Sequence, residues 1–151
     1  MQWHQLDPEI MKLLKHYSPP KILIIHLGSN DLVTEGLTSK KFVEEITCSL
    51  LRYNALLPNT KLVWSAILPR LYWHGAPLGS GHKIDKKRKK INKQTKKFIS
   101  ELRGGVIWHH NISVHNVNLF RYDGTHLSDE GNRIFLDNFR SGLLKFINPN
   151  C

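Results

Sequence analysis

The chain contains little cysteine: Cys48 and Cys151 are its 2 thiols in 151 residues. Two thiols cannot form the disulfide framework of a small secreted scaffold, and alone they cannot build a cysteine-based zinc cluster. Long apolar runs are also missing. The run from 22 to 27 is far shorter than the ~20 residues of a membrane helix, and the N-terminus has no apolar signal-peptide core. We therefore expect no membrane span, and a cytosolic or nuclear location.

Acidic residues are scarce, with 12 Asp and Glu against 22 Lys and Arg, which gives a net charge of +10. The hydrophobic fraction of 40% and the charged fraction of 23% are nevertheless those of a globular protein. A chain of this length can bury about 70% of its unfolded surface, which excludes wholesale disorder. The composition predicts one folded domain over residues 1–151.

Hydrophobic patterning predicts an alternation of helices and strands. Helical spacing marks a first helix, with Asp7 at its N-cap and Pro8 at its first helical position, and further helices over 38–56, 83–102 and 128–147. The last helix carries a wide apolar stripe that includes Leu144 and Ile147. Continuous apolar runs predict buried strands at 21–27, 61–67 and 106–110. Strands separated by helices require right-handed crossovers, so the fold class is α/β, a parallel-sheet α/β/α sandwich.

The first strand ends in a polar turn, Gly28-Ser29-Asn30-Asp31. In open parallel sheets, ligands bind beyond the carboxyl ends of the strands, so the side chains of this turn would face a ligand. The amide of Asn30 could donate a hydrogen bond to an oxyanion. These residues are also ordinary turn formers, and a purely structural turn is an open alternative.

A second polar turn, Asp123-Gly124-Thr125-His126, precedes the last helix. An Asp three residues before a His can hold one imidazole nitrogen, fix the tautomer and stabilise the protonated ring of a general base. The alternative is a plain turn with His126 at the surface and Ser128 as the N-cap of the helix.

Together the two turns resemble the signature blocks of the SGNH (GDSL) hydrolase family. The segment 64–70, Trp-Ser-Ala-Ile-Leu-Pro-Arg, is similar to the strand and proline loop of its acetylhydrolase-like branch. The resemblance implies a flavodoxin-like fold, ester substrates, Asp123 and His126 in a catalytic triad, and Asn30 with Gly28 in the oxyanion hole. The sequence has no phosphate-binding loop or dinucleotide fingerprint, so we expect no cofactor. The sequence of these segments is also similar to that of SGNH-type domains in vertebrate retroelement-derived reading frames.

The family's nucleophile block, a Gly-Asp-Ser-like turn on the first strand, has no counterpart here. Ser18 is the one serine before the first predicted strand, and Ser29, Ser65 and Ser80 lack the context of a nucleophile elbow. We therefore expect a partial SGNH-type domain that lacks its first strands and is not a competent esterase alone. The strand at 21–27 would then be an apolar sheet edge prone to self-association.

Nucleic-acid binding is the strongest alternative function. A basic run lies on the third predicted helix: Lys86, Lys87, Arg88, Lys89 and Lys90. Such a run attracts phosphate without sequence preference and is also typical of a nuclear localisation signal, although it can equally be a solvated helix face.

We expect no metal site, despite nine His. Ligand spacing is absent, and the adjacent His109 and His110 of a strand would point to opposite faces. His26, inside a predicted buried strand, is expected to be a hydrogen-bonded core residue.

Overall fold

The computed structural model describes residues 1–148; Cys151, one of the two thiols considered above, lies outside them. A 3-10 turn, Trp3–Gln5, opens the chain, and a second one covers Val117–Leu119. The remaining elements alternate along the chain: α1 (Leu6–His16), β1 (Ile22–Ile25), α2 (Ser39–Leu56), β2 (Lys61–Ser65), α3 (Gly81–Glu101), β3 (Gly105–Ile107) and α4 (Asp129–Ile147).

The three strands form one parallel sheet in the order β1-β2-β3. Ile25 pairs with Trp64, and Trp64 pairs with Val106, so these three side chains share one face. The α/β class and the parallel sheet are confirmed. β1 lies at the edge of the described sheet, and Ile22, Leu23 and Ile24 are only half-buried there.

The main core lies between the sheet and helices α2 and α3. Trp64 is fully buried in it, and Trp3 packs edge-on against Phe42 with ring centroids 6.0 Å apart. Trp3 also donates its backbone N–H to both carboxylate oxygens of Asp31, at 3.0 and 3.1 Å. These contacts hold the turn after β1 against the N-terminal segment.

Helix α4 covers the opposite face of the sheet, close to β3. Glycine permits the approach, because a Cβ on Gly105 would lie 2.5 Å from the Phe146 ring. The predicted apolar stripe of α4 is nevertheless incompletely buried: Leu144 and Ile147 are 52% and 62% exposed. The prediction that these two residues face the core is wrong, because the side of α4 that packs on β3 is that of Gly142 and Phe146, and Leu144 and Ile147 lie on other sides of the helix.

Capping groups define the helix starts. Thr38 accepts a hydrogen bond from the backbone of Lys41 at the start of α2, and Ser128 caps α4. Asp7 is not the N-cap of α1, as the sequence suggested, since α1 already begins at Leu6. The Asp7 carboxylate instead accepts hydrogen bonds from Arg52 and Tyr53 of α2 and fastens α1 to it. Between residues 1 and 148, no helix has the length and apolarity needed to cross a membrane.

Candidate functional site

The turn before α4 places Asp123 and His126 in direct contact. Asp123 Oδ2 lies 2.6 Å from His126 Nδ1, and Asp123 Oδ1 accepts the backbone N–H groups of Thr125 and His126, each at 2.9 Å. Because one carboxylate oxygen is held by the backbone, the other is aimed at the imidazole. The turn therefore builds the acid–imidazole pair that the spacing suggested.

The ionised carboxylate of Asp123 sets the tautomer of the imidazole. The hydrogen bond from the His126 ring, with those from the backbone N–H groups of His126 and Thr125, holds the pKa of Asp123 far below its usual range. An ionised carboxylate at Nδ1 selects the tautomer with the proton on that nitrogen. The lone pair then lies on Nε2, in a side chain that is 71% exposed, where it can accept a proton.

The loop after β2 holds the turn in place. The backbone N–H of Tyr72 donates to the Gly124 carbonyl at 2.9 Å, and Thr125 Oγ1 donates to the Tyr72 carbonyl at 2.9 Å. Gly124 has φ +68°, and a Cβ there would lie 3.1 Å from that of Tyr72, so glycine suits both the conformation and the contact. The loop and the Asp123–His126 pair therefore form one unit.

The turn after β1 carries the predicted oxyanion-hole residues. Gly28 is buried at φ +112°, and a Cβ there would lie 3.0 Å from Ile67 and 3.2 Å from Phe42. This explains the glycine by conformation and packing, and its part in an oxyanion hole stays a prediction. The Nδ2 group of Asn30 donates to the Met1 carbonyl at 3.3 Å, which leaves its second N–H without an acceptor among residues 1–148.

Arg70 links the two turns. Its guanidinium donates to Oδ1 of Asn30 at 3.3 Å and lies over the Trp73 ring, 5.2 Å from the centroid. Burial lowers the pKa of Arg70, and the nearby charge of Asp123 opposes that shift. Arg70 therefore lies close to both predicted turns. Arg70 belongs to the family-like segment 64–70 but was not among the predicted site residues; its position after Pro69, just beyond a strand end, was the available signal.

The serines considered above do not complete a triad here. Ser65 is fully buried between two imidazoles, with Oγ 2.8 Å from His26 Nδ1 and 2.9 Å from His109 Nε2, so it cannot meet a substrate. Ser80 donates its hydroxyl to the Pro77 carbonyl. Among residues 1–148, no hydrogen bond joins a serine hydroxyl to His126.

A polar chain crosses the α4 side of the sheet. Asn138 donates to Nδ1 of His109 at 3.1 Å, so His109 Nε2 donates to Ser65, whose hydroxyl then donates to His26. Burial, together with the charges of His26 and His110, lowers the pKa of His109 to about 4. His26 is hydrogen-bonded as expected, but it follows the end of β1 and is partly exposed rather than in the core. One side of its ring still packs against Phe135 of α4, with ring centroids 4.9 Å apart.

The basic run on α3 divides into internal and exposed members. Lys87 donates to backbone carbonyls of the loop after β1, at Leu32 and Leu37. Arg88 pairs with Asp85 at 2.7 Å and donates to the Ile67 carbonyl at 2.9 Å, while Lys89 also pairs with Asp85. Lys87 and Arg88 therefore serve the fold, whereas Lys86, Lys89 and Lys90 are exposed.

A cleft of about 420 Å³ lies at the carboxyl ends of β2 and β3. Arg88, Lys89, Trp108 and His110 line it, and the Trp108 and His110 rings are stacked with centroids 5.2 Å apart. His109 is buried and His110 exposed, but the predicted strand over 106–110 is too long: β3 ends at Ile107, and neither histidine lies in it. No group of three or more possible metal ligands occurs within the described part of the chain.

Sequence comparison gives no relatives: no family model matches the chain, and no curated protein does. Comparison with solved structures does find proteins of similar fold. A protein described as a GDSL-like lipase from Parabacteroides merdae superposes with a TM-score of 0.68 at 18% identity, over 94% of this chain and 68% of that one. A mutant acetyl esterase, solved with an acetate ion, superposes with a TM-score of 0.73 at 15% identity, over 100% of this chain and 70% of that one. The chain therefore has the fold of SGNH/GDSL-type hydrolases; the resemblance to retroelement-derived domains stays a prediction.

Proposed function

We propose that Asp123, His126 and Asn30 form the acid–base and oxyanion part of an acyl-hydrolase site that acts on esters. The observation that carries the proposal is the 2.6 Å contact between Asp123 and His126, with the second carboxylate oxygen fixed by two backbone N–H groups. The hydrolase-type fold supports it, because the site lies at the carboxyl edge of the sheet, where such folds bind ligands.

Each residue has a distinct part in the proposed chemistry. His126 Nε2 takes the proton of the attacking hydroxyl, and Asp123 stabilises the resulting imidazolium. The negative charge that develops on the carbonyl oxygen is met by the free N–H of Asn30, with the backbone N–H of Gly28 as a second donor. His126 then returns the proton to the leaving alkoxide as the ester C–O bond breaks, so the alcohol departs; where the attacking hydroxyl is that of water, the acyl group is released directly as the acid.

We further propose that this chain alone hydrolyses esters slowly. No serine hydroxyl within residues 1–148 is hydrogen-bonded to His126, so the remaining route is direct attack by water with His126 as general base. Losing a triad member typically costs several orders of magnitude in rate and leaves the contributions of the oxyanion hole and of binding.

Steady-state hydrolysis of p-nitrophenyl acetate tests the site. His126→Ala should lower the residual rate at least about tenfold, as expected on loss of a general base, and Asp123→Asn should lower it similarly. His16→Ala, which removes an exposed imidazole at the end of α1, is the matched control and should hydrolyse like the wild type. A His126→Ala chain as active as the wild type would show that the pair does no acyl chemistry.

Nucleic-acid binding is a second candidate, favoured by a lysine stripe that the structure defines. The stripe consists of exposed residues on one face of α3 at alternating spacings of three and four: Lys83, Lys86, Lys90, Lys93 and Lys97. It extends over about 21 Å at the rise of an α-helix. A linear array of cations of this length suits a phosphate backbone, and it differs from the contiguous run considered above.

Salt-dependent retention of a duplex oligonucleotide tests this second candidate. Replacing the stripe residues 86, 90, 93 and 97 by Gln should abolish retention, and single replacements should make the slope of log affinity against log salt shallower, because fewer phosphates are neutralised. Replacing Lys40 and Lys41 on α2 by Gln is the control and should leave binding largely intact. Equal weakening of retention in both variants would show that binding depends on net charge alone and not on the lysine stripe.

A further inference from the structure

Arg70 has more hydrogen-bonding capacity than the fold uses. Within residues 1–148, one N–H of its guanidinium has an acceptor, the Oδ1 of Asn30 at 3.3 Å, and no carboxylate lies within ion-pair distance of it. The side chain is half-buried, with its guanidinium over the Trp73 ring. A partly desolvated guanidinium with free donors is a strong site for a planar oxyanion, which it can bind through two parallel hydrogen bonds.

The neighbouring carboxylate does not satisfy this capacity. Asp123 is close enough for its charge to act on Arg70, but its oxygens are already bound by His126 and by two backbone N–H groups. The ring of Trp73 also holds the guanidinium in place, so little entropy is lost when an anion binds. The fold therefore presents a positioned cation between the turns that carry Asn30 and Asp123.

The contact with Asn30 indicates where a bound anion would lie. The amide oxygen of Asn30 faces Arg70, which orients the amide nitrogen as the donor for the reacting carbonyl. The guanidinium is thus at the oxygen end of the Asn30 amide, and the carbonyl oxygen of a bound ester would be at its nitrogen end. A negatively charged group on the substrate can reach Arg70 only if it lies a few bonds from the carbonyl carbon of the ester.

We propose that Arg70 makes the site selective for esters that carry a carboxylate a few bonds from the ester carbonyl, such as the half-esters of short dicarboxylic acids. This inference rests on the proposed function, because it uses Asn30 as the carbonyl-binding residue. Uncharged esters of the same size leave the guanidinium unpaired and bind more weakly. Arg70 therefore acts as a specificity residue of the candidate site.

Binding of a matched pair of esters tests the proposal without requiring turnover. Monomethyl succinate carries one carboxylate, and dimethyl succinate is its uncharged counterpart. Each is titrated at constant ionic strength into the ¹⁵N-labelled chain, and the Arg70 Nε–H and Trp73 indole N–H signals are followed. We expect a saturable shift with the half-ester and none with the diester at the same concentrations.

Variants identify the cation responsible. Arg70→Gln should weaken half-ester binding about tenfold or more, as expected when a charge-assisted bidentate pair is removed. Arg70→Lys should fall between it and the wild type, and Arg140→Gln, on the exposed side of α4, should bind like the wild type. Equal affinity for the two esters, or an Arg70→Gln chain that binds the half-ester as tightly as the wild type, would overturn the proposal. Because the ester pair is compared on the wild-type chain, the test stands even where Arg70→Gln fails to fold.

Half-ester binding measured on the wild type and hydrolysis measured on His126→Ala separate this inference from the proposed function. The binding measurement uses neither turnover nor a variant of His126. Half-ester binding without any hydrolysis dependent on His126 would refute the acyl chemistry and leave a carboxylate-binding site. Hydrolysis that depends on His126 without half-ester selectivity would refute the role of Arg70 alone.

Discussion

As the pH falls below about 7, the unfolded chain binds a proton at His109 that the folded chain does not accept. The folded imidazole is buried, receives a hydrogen bond from Asn138 at Nδ1, and faces His26 and His110. Its pKa is lowered from 6.5 to about 4. The unfolded state therefore holds more protons than the folded state between these two pKa values, and the free energy of unfolding must decrease as the pH falls through this window.

The size of the effect follows from the pKa difference. A lowering from 6.5 to about 4 corresponds to a loss of about 3 kcal/mol between neutral pH and pH 4, because each pKa unit is worth about 1.4 kcal/mol. About 2 kcal/mol of this loss falls above pH 5. Asp7 and Asp85, whose pKa values lie below 3.8 in the folded state, add their own losses mainly at lower pH.

Urea unfolding followed by circular dichroism at pH 7, 6 and 5 measures the effect. His109→Gln removes the titrating group while keeping an amide that can reach Ser65, so the stability of this variant should change much less over the same range. His26 also has a lowered pKa, because its ring is partly desolvated against Phe135, so His26→Gln should reduce the slope in part. If the wild type and His109→Gln lose stability in parallel between pH 7 and 5, the account of His109 as a neutral buried imidazole is refuted.

Three further predictions concern packing, the polar chain and the sheet edge. Gly28→Ala should lower the free energy of unfolding in urea by roughly 2 kcal/mol or more, because its φ of +112° and the 3.0 Å approach to Ile67 both oppose a Cβ. Gly36→Ala, with open space around the glycine, should lower it less. Ser65→Ala should cost about 1–3 kcal/mol, because it removes the shared partner of two imidazoles, and a variant as stable as the wild type would show that the chain of hydrogen bonds is not formed. If the edge strand β1 mediates self-association, Ile24→Lys should shift sedimentation equilibrium towards the monomer while Leu136→Lys, on the exposed side of α4, should not.

The order of elements could be predicted because the signals are local. The three strands are marked by continuous apolar runs, and the helices carry stripes such as Phe42, Ile46 and Leu50, which are buried as expected. The predicted stripe of α4 was too wide at Leu144 and Ile147, because a run of apolar residues on a helix does not show which of them meet the sheet.

The candidate site was predictable only in part, for a similar reason. Asp123 and His126 lie three positions apart, and their contact follows from turn geometry. The contact of Arg70 with Asn30 spans 40 positions and depends on how two loops pack, which no local pattern encodes. Likewise, the internal contacts of Lys87 and Arg88 need the loop carbonyls of Leu32 and Ile67, so a run of charges alone could not reveal them.

A stopped-flow trace of p-nitrophenyl acetate hydrolysis, recorded for the wild type and His126→Ala, tests the central claim most directly. We expect the wild type to show slow linear release of p-nitrophenol without a burst, because water rather than a serine attacks the ester. His126→Ala should lose most of that release, because it lacks the general base. A burst equal to the chain concentration would reveal a competent nucleophile, and identical slopes in the two chains would show that Asp123 and His126 form no hydrolytic site.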